Sequence, residues 1–248
     1  MFEIGRYVAI WTFMLLSALG SSSEVYLNRD GVTLSRQLVG SGFHREIKTT
    51  VTVSNGTRRA LTDGKCRLLL LETLSPGVYA DPFQLKSLEP FGGPKVAFSA
   101  EVDLEATADQ SKPLEINIFI DIYSTDEKTP NEWTIGLPVH GRYHRPSLHK
   151  GASSVEVIIL NPVLYSSCSF PGSSNPVLLA PCDASNNSKC KWNPILYQRK
   201  SPYLKMKIPI GREKDKALVI WITIVFSVTV PAILISKLLC PKVKNKET

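Results

Sequence analysis

Apolar positions recur at every second residue through much of the middle of the chain, the spacing of strands that bury one face. Ile47, Thr49, Val51 and Val53 alternate with polar neighbours, as do Val96, Phe98, Ala100, Val102 and Leu104, and again Leu114, Ile116, Ile118, Ile120 and Ile122. Leu204, Met206, Ile208 and Ile210 repeat the pattern near the C-terminal end. Leu68–Leu71 and Val157–Leu160 are continuous apolar runs, which fit strands buried on both faces, with helix the alternative that periodicity alone leaves open. Turn-rich pieces separate these segments, among them Ser75-Pro76-Gly77 and the stretches 89–94 and 109–113. The pattern predicts an all-β, sandwich-like domain over residues 23–212. Ser166 to Ser201 is rich in Ser, Asn, Pro and Cys, has no period, and reads as a disulfide-tied excursion.

Two stretches break the alternation. Val8 to Leu19 is apolar, preceded by Arg6 and followed by Gly20 and three serines, the order of a signal peptide occupying residues 1–22. Ala217 to Ser236 carries no charge, and twelve of its twenty residues are Leu, Ile, Val or Phe. As a helix this run would reach about 30 Å, the thickness of a bilayer core. Pro231 is tolerated inside a span because neighbouring groups can satisfy the carbonyl it frees. Residues 217–236 are therefore predicted to form one transmembrane helix. Lys237, Lys242, Lys244 and Lys246 outnumber Glu247 beyond it, which places residues 237–248 in the cytosol and the β-domain in the lumen.

Charge and cysteines refine this topology. The 248 residues carry a formal charge of +7, much of it flanking the span, so the basic balance reports topology and gives no ground for nucleic-acid binding. The length allows one ordinary domain and excludes two large catalytic ones. Cys66, Cys168, Cys182 and Cys190 lie on the lumenal side, where two disulfides in any of three pairings are expected. Zinc is the rival reading, but none of the four forms a Cys-x-x-Cys pair. Cys240 is set apart just past the span on the cytosolic side and reads as an inert thiol, with palmitoylation as the alternative. Asn55-Gly56-Thr57 and Asn186-Asn187-Ser188 are N-glycosylation acceptors, and lumenal placement makes both Asn55 and Asn186 usable.

Catalytic constellations fail on spacing. The chain has no Gly-x-Ser-x-Gly elbow, no phosphate-binding Gly-rich loop and no His-Glu-x-x-His pair. Glu101, Asp103 and Glu105 alternate with Val102 and Leu104, which reads as the solvent face of a strand. No catalytic, cofactor-binding or metal-ligating residue is assigned. The densest polar and aromatic cluster runs from His140 through Gly141, Arg142, Tyr143, His144 and Arg145 to Pro146. Pro138, Gly141 and Pro146 rule out a helix there. In an extended chain His140, Arg142 and His144 share one face, opposite Tyr143, giving either a recognition strip or a strand with Tyr143 packed inward.

The His140-Gly-Arg-Tyr143 block, Pro146, the later Asn161-Pro162 and the single C-terminal span together resemble the PIG-X family, the small accessory subunit of the first glycosylphosphatidylinositol (GPI) mannosyltransferase. The likeness runs over most of Glu24 to Lys237 and rests on the order of these features. It implies a non-catalytic protein that stabilises the multi-span catalytic subunit, PIG-M, in the endoplasmic reticulum membrane, where the first mannose is added. No catalytic residue is carried over from the family.

Lys244 and Lys246 stand fifth and third from the C-terminus and resemble a dilysine retrieval signal, although lysines flanking a span are also expected from topology. An Arg beside an aromatic is a composition enriched at binding hot spots, so His140, Arg142 and Tyr143 are expected to contact the partner. A cell-surface receptor-like β-domain is the alternative, and a lumenal enzyme the third class.

Overall fold

The computed structural model describes residues 31–123, 131–148, 153–168 and 177–239. The expected signal peptide, Cys240, and the retrieval lysines Lys244 and Lys246 lie outside the described residues.

Two sheets and a two-stranded ribbon contribute to one main core. The first sheet has the order β12-β1-β2-β7-β4, built from β1 (Val32–Ser41), β2 (His44–Val53), β4 (Val78–Tyr79), β7 (Glu132–Gly141) and β12 (Gln198–Arg199). The second has the order β10-β11-β9-β3-β6-β5, from β3 (Leu68–Leu74), β5 (Lys95–Phe98), β6 (Leu114–Ile120), β9 (Val163–Ser166), β10 (Leu178–Pro181) and β11 (Lys189–Ile195). Strand β8 (Ser154–Leu160) pairs antiparallel with β13 (Tyr203–Pro209) as a separate ribbon. Val51, Ile116, Ile159 and Met206 come from all three pieces, and all lie in the same buried cluster. Each such side chain taken fully out of water stabilises the fold by about 1.5 to 3 kcal/mol.

Period-two alternation locates β2 and β13 because each has one buried face, and it locates β6 through Leu114, Ile116, Ile118 and Ile120 in the main core, although the other face of β6 also buries Asn117 and packs Phe119 on a second cluster. The apolar run in β3 is buried on both faces as expected: Leu68 and Leu70 enter the main core, and Leu69 enters a second cluster with Ala180 and Trp192. The run in β8 differs. Val157 and Ile159 are buried, but Ile158 and Leu160 are exposed, so β8 is one-sided. Strand β5 ends at Phe98, and Glu101, Asp103 and Glu105 lie in an irregular loop instead of on a strand. There Asp103 Oδ1 accepts from the backbone N–H groups of Glu105 and Ala106 at 2.9 and 3.1 Å, a local turn that competes with extension. The Ser166–Ser201 excursion contains three strands, one of which buries Trp192.

Two short helices interrupt the β-pattern. In α1 (Asn55–Asp63), Ser54 caps the first turn by accepting from Thr57 N–H at 3.2 Å, and Leu61 is the buried residue. In α2 (Pro82–Leu88), Asp81 accepts from Phe83 N–H at 2.8 Å and Pro82 opens the helix. The disulfides are Cys66–Cys168, which ties the chain after α1 to the end of β9, and Cys182–Cys190, which closes the loop between β10 and β11. Helix α3 (Lys216–Leu239) is long and apolar enough to cross a membrane. It extends three residues past the predicted end at Ser236.

Candidate interaction site at the end of β7

The chain leaves β7 at Gly141 and runs, through Arg142–Ser147, toward the segment that precedes α3. Backbone bonds fix this course. Gly141 N–H donates to Phe43 O at 2.7 Å, Arg142 N–H to Gly77 O at 2.8 Å, and Ala108 N–H to Tyr143 O at 2.9 Å. Gly141 packs closely here: an added Cβ would stand 3.0 Å from the Ile208 side chain and 3.2 Å from that of Met206. At the far end Ser147 N–H donates to Gly211 O at 2.9 Å, and Glu213 N–H donates back to Ser147 O at 3.1 Å. The segment is thereby tied to the chain immediately before the apolar helix.

The structure reverses the expected facing of the block. Arg142 is buried and Tyr143 is 72% exposed, so the cation points in and the phenol out. The reason lies in partners distant in sequence. Arg142 Nη1 donates to Ala106 O at 2.8 Å, and its guanidinium lies 4.5 Å from the Tyr79 ring centre. A cation over an aromatic face and a charge-assisted bond together offset the desolvation of a buried Arg. That desolvation pulls the Arg142 pKa down, opposed by Tyr79 and Asp103, and the guanidinium remains charged.

His140 is also engaged. Its Nε2 lies 2.8 Å from Gln84 Oε1 of α2, its ring stacks on Tyr79 at 5.2 Å, and His44 meets it edge-on at 4.7 Å. Burial lowers the His140 pKa below the usual histidine value, and His44 lowers it further against the pull of Asp81. Burial likewise raises Tyr79, with Arg142 opposing the rise and Asp81 and Tyr143 adding to it. Tyr143 packs its exposed ring against Phe43 at 5.1 Å. Next to it Arg145 pairs with Asp109 at 2.7 Å on the surface, and hydrogen bonds from Thr107 and Arg145 hold the Asp109 carboxyl below its ordinary range.

Chemically the arrangement supports a shape and offers no reacting pair, since both rings and the guanidinium are occupied by neighbours. Among the described residues no group of three His, Cys, Asp or Glu side chains is placed to hold a metal ion. Sequence reasoning found His140, Arg142 and Tyr143 but missed Phe43, His44, Tyr79, Gln84 and Ala106, which hold them. Asp81-Pro82 was the available signal, a cap and first-turn proline announcing the helix that delivers Gln84.

The remaining predicted positions lie elsewhere. Asn55 opens α1, exposed, and accepts a hydrogen bond from the Asn131 amide. Asn186 is exposed at φ 55° in the loop closed by Cys182–Cys190, where Asp183 accepts from Ser185 N–H at 2.9 Å. Asn161, part of the sequence resemblance, clasps the chain before β13 by donating to Ser201 O at 2.6 Å.

Comparison with known proteins agrees with the sequence resemblance. The family described as PIG-X / PBN1 matches residues 40–239. A human protein named GPI alpha-1,4-mannosyltransferase I, stabilizing subunit, is 29% identical over 203 residues, covering 79% of this chain and 76% of that one. The mouse protein of the same name is 27% identical over 203 residues, covering 79% and 77%. Protein PBN1 of Gibberella zeae is 29% identical over 147 residues, covering 57% of this chain and 28% of its own length. No solved structure matches the chain. With a match that spans the β-domain and the apolar helix together, the chain belongs to the PIG-X / PBN1 family.

Proposed function

We propose that the protein is the non-catalytic, stabilising subunit of the endoplasmic reticulum mannosyltransferase that adds the first mannose during GPI-anchor biosynthesis, and that its partner is the catalytic subunit PIG-M. The observation that carries this reading is the family match across residues 40–239, which includes the apolar helix, together with relatives named as a stabilizing subunit. The chain is read as a single-pass type I glycoprotein: a signal peptide over 1–22, a lumenal β-domain, one span, and a cytosolic tail whose Lys244 and Lys246 return it to the endoplasmic reticulum. Asn55 and Asn186 carry the glycans.

The block His140, Arg142 and Tyr143 forms the partner contact, with labour divided inside it. Tyr143 presents its ring, while His140 and Arg142 set the position of the strand end from within. Support for this placement comes from the bonds between Ser147 and residues 211–213, which keep the block near the start of α3, where a membrane-embedded partner can reach it. Recovery of the full chain from membranes in mild detergent, followed by identification of the co-purifying protein, tests the function. A multi-span mannosyltransferase subunit is expected; its absence from an otherwise intact preparation contradicts the reading.

A further inference from the structure

The two sheets leave neighbouring edges open. Strand β4 covers β7 only opposite His140 and Gly141, and along Glu132–Val139 no strand among the described residues pairs with that edge. Strand β5 is the last of the second sheet, and among the described residues no strand pairs with its outer edge. Between them runs a groove of about 670 Å³, reached by Lys95 of β5 and Thr134 of β7 and walled by the turn that carries Phe91. Unpaired strand edges invite another chain, and folded proteins normally cover them. Here the covering is slight: Pro138 removes one donor from β7, and Phe91 stands 87% exposed beside the groove.

Charge selects the occupant. Glu46, Glu89, Asp121 and Glu132 line the groove, against Lys95 as the one basic residue among the described lining. An extended polypeptide matches two open edges better than a compact small molecule, which favours closed and mainly apolar pockets. A second copy of this chain is disfavoured, because pairing β7 with its own copy would set the same carboxylates against one another.

Resting on the function proposed above, we infer that this groove binds an extended, lysine- or arginine-bearing lumenal segment of the partner subunit, added as a strand to the open edge of β7. This contact is separate from the Tyr143 surface. The test places a photo-crosslinking phenylalanine analogue at Thr134 or Phe91 of the full chain in membranes. Crosslinks are expected to a basic lumenal segment of the co-purifying multi-span subunit, and Glu89→Lys with Glu132→Lys is expected to reduce their yield at least tenfold. Both carboxylates are exposed, so the fold tolerates the change. Crosslinks confined to the chain itself or to a second copy, or a yield unchanged by charge reversal, overturn the inference. Partner recovery without groove crosslinks sinks the groove alone, whereas failure of the unaltered chain to recover any multi-span partner sinks the function and the groove together.

Discussion

Arg36 of β1 and Glu72 of β3 join the two sheets through a buried ion pair in which Nη2 alone donates to both carboxylate oxygens, at 2.8 and 2.7 Å, with both side chains 1% exposed. The same guanidinium donates to Leu160 O of β8 at 2.6 Å and to Thr49 Oγ1 of β2 at 3.3 Å. One side chain thus touches both sheets and the ribbon. Removing one partner of such a pair strands a buried charge, while replacing both with apolar groups removes the desolvation cost as well. Glu72→Ala is expected to destabilise the protein by about 3 to 5 kcal/mol. Arg36→Met combined with Glu72→Leu should restore most of that loss. A double-mutant cycle from denaturant unfolding of the full chain in detergent measures the difference, and additive losses would show that the pair is not coupled.

The inward Arg142 and outward Tyr143 predict opposite phenotypes. Arg142→Ala loses the Tyr79 contact and the bond to Ala106, and should cost about 2 to 4 kcal/mol of stability. Tyr143→Ala should leave thermal stability within about 0.5 kcal/mol, as surface changes do, yet lower recovery of the partner. Thermal unfolding read beside co-purification separates the two. Normal partner recovery with Tyr143→Ala removes it from the contact.

The His140 environment gives a pH dependence with a definite sign. Its folded-state pKa lies below the ordinary histidine value, so on acidification the unfolded chain takes up the proton first. The contribution is fully present above about pH 6.5 and declines as pH falls from there through the folded value. The melting temperature should therefore drop between pH 7 and pH 5.5. His140→Gln should flatten that drop, and an unaltered pH profile in this variant would assign the dependence to another group.

The disulfides close loops of very different size, with sequence separations of 102 and 8. On the chain-entropy account their loss costs about 4.7 and about 2.5 kcal/mol respectively. Replacing Cys66 and Cys168 by Ser should therefore destabilise more than replacing Cys182 and Cys190. Equal losses would point to native-state packing as the dominant effect.

Much of this was legible in the sequence where one physical signal acted alone. One buried face made β2 and β13 visible by period two, and twenty uncharged residues announced α3. The failures share a cause, since long-range partners override local pattern. Leu160 is apolar yet exposed, because β8 buries only one face in the ribbon, and the 99–105 stretch alternates in sequence but is bent by Asp103. Cysteine count predicted two bridges, but pairing depends on which strand ends meet. At the site, the residue types in His140–Tyr143 drew attention, whereas their facing was set by Tyr79, Gln84 and Ala106, distant positions that no local spacing could nominate.

On the function proposed above, this protein acts through the amount of its partner and not through chemistry of its own. A subunit that binds only the folded partner stabilises it by mass action, and an unpartnered membrane protein is removed by quality control. The most direct measurement is to deplete this protein and quantify the catalytic subunit and first-mannose transfer in the same membranes. Both are expected to fall in proportion, leaving activity per catalytic subunit unchanged. A loss of transfer with the catalytic subunit at its normal level would contradict the account.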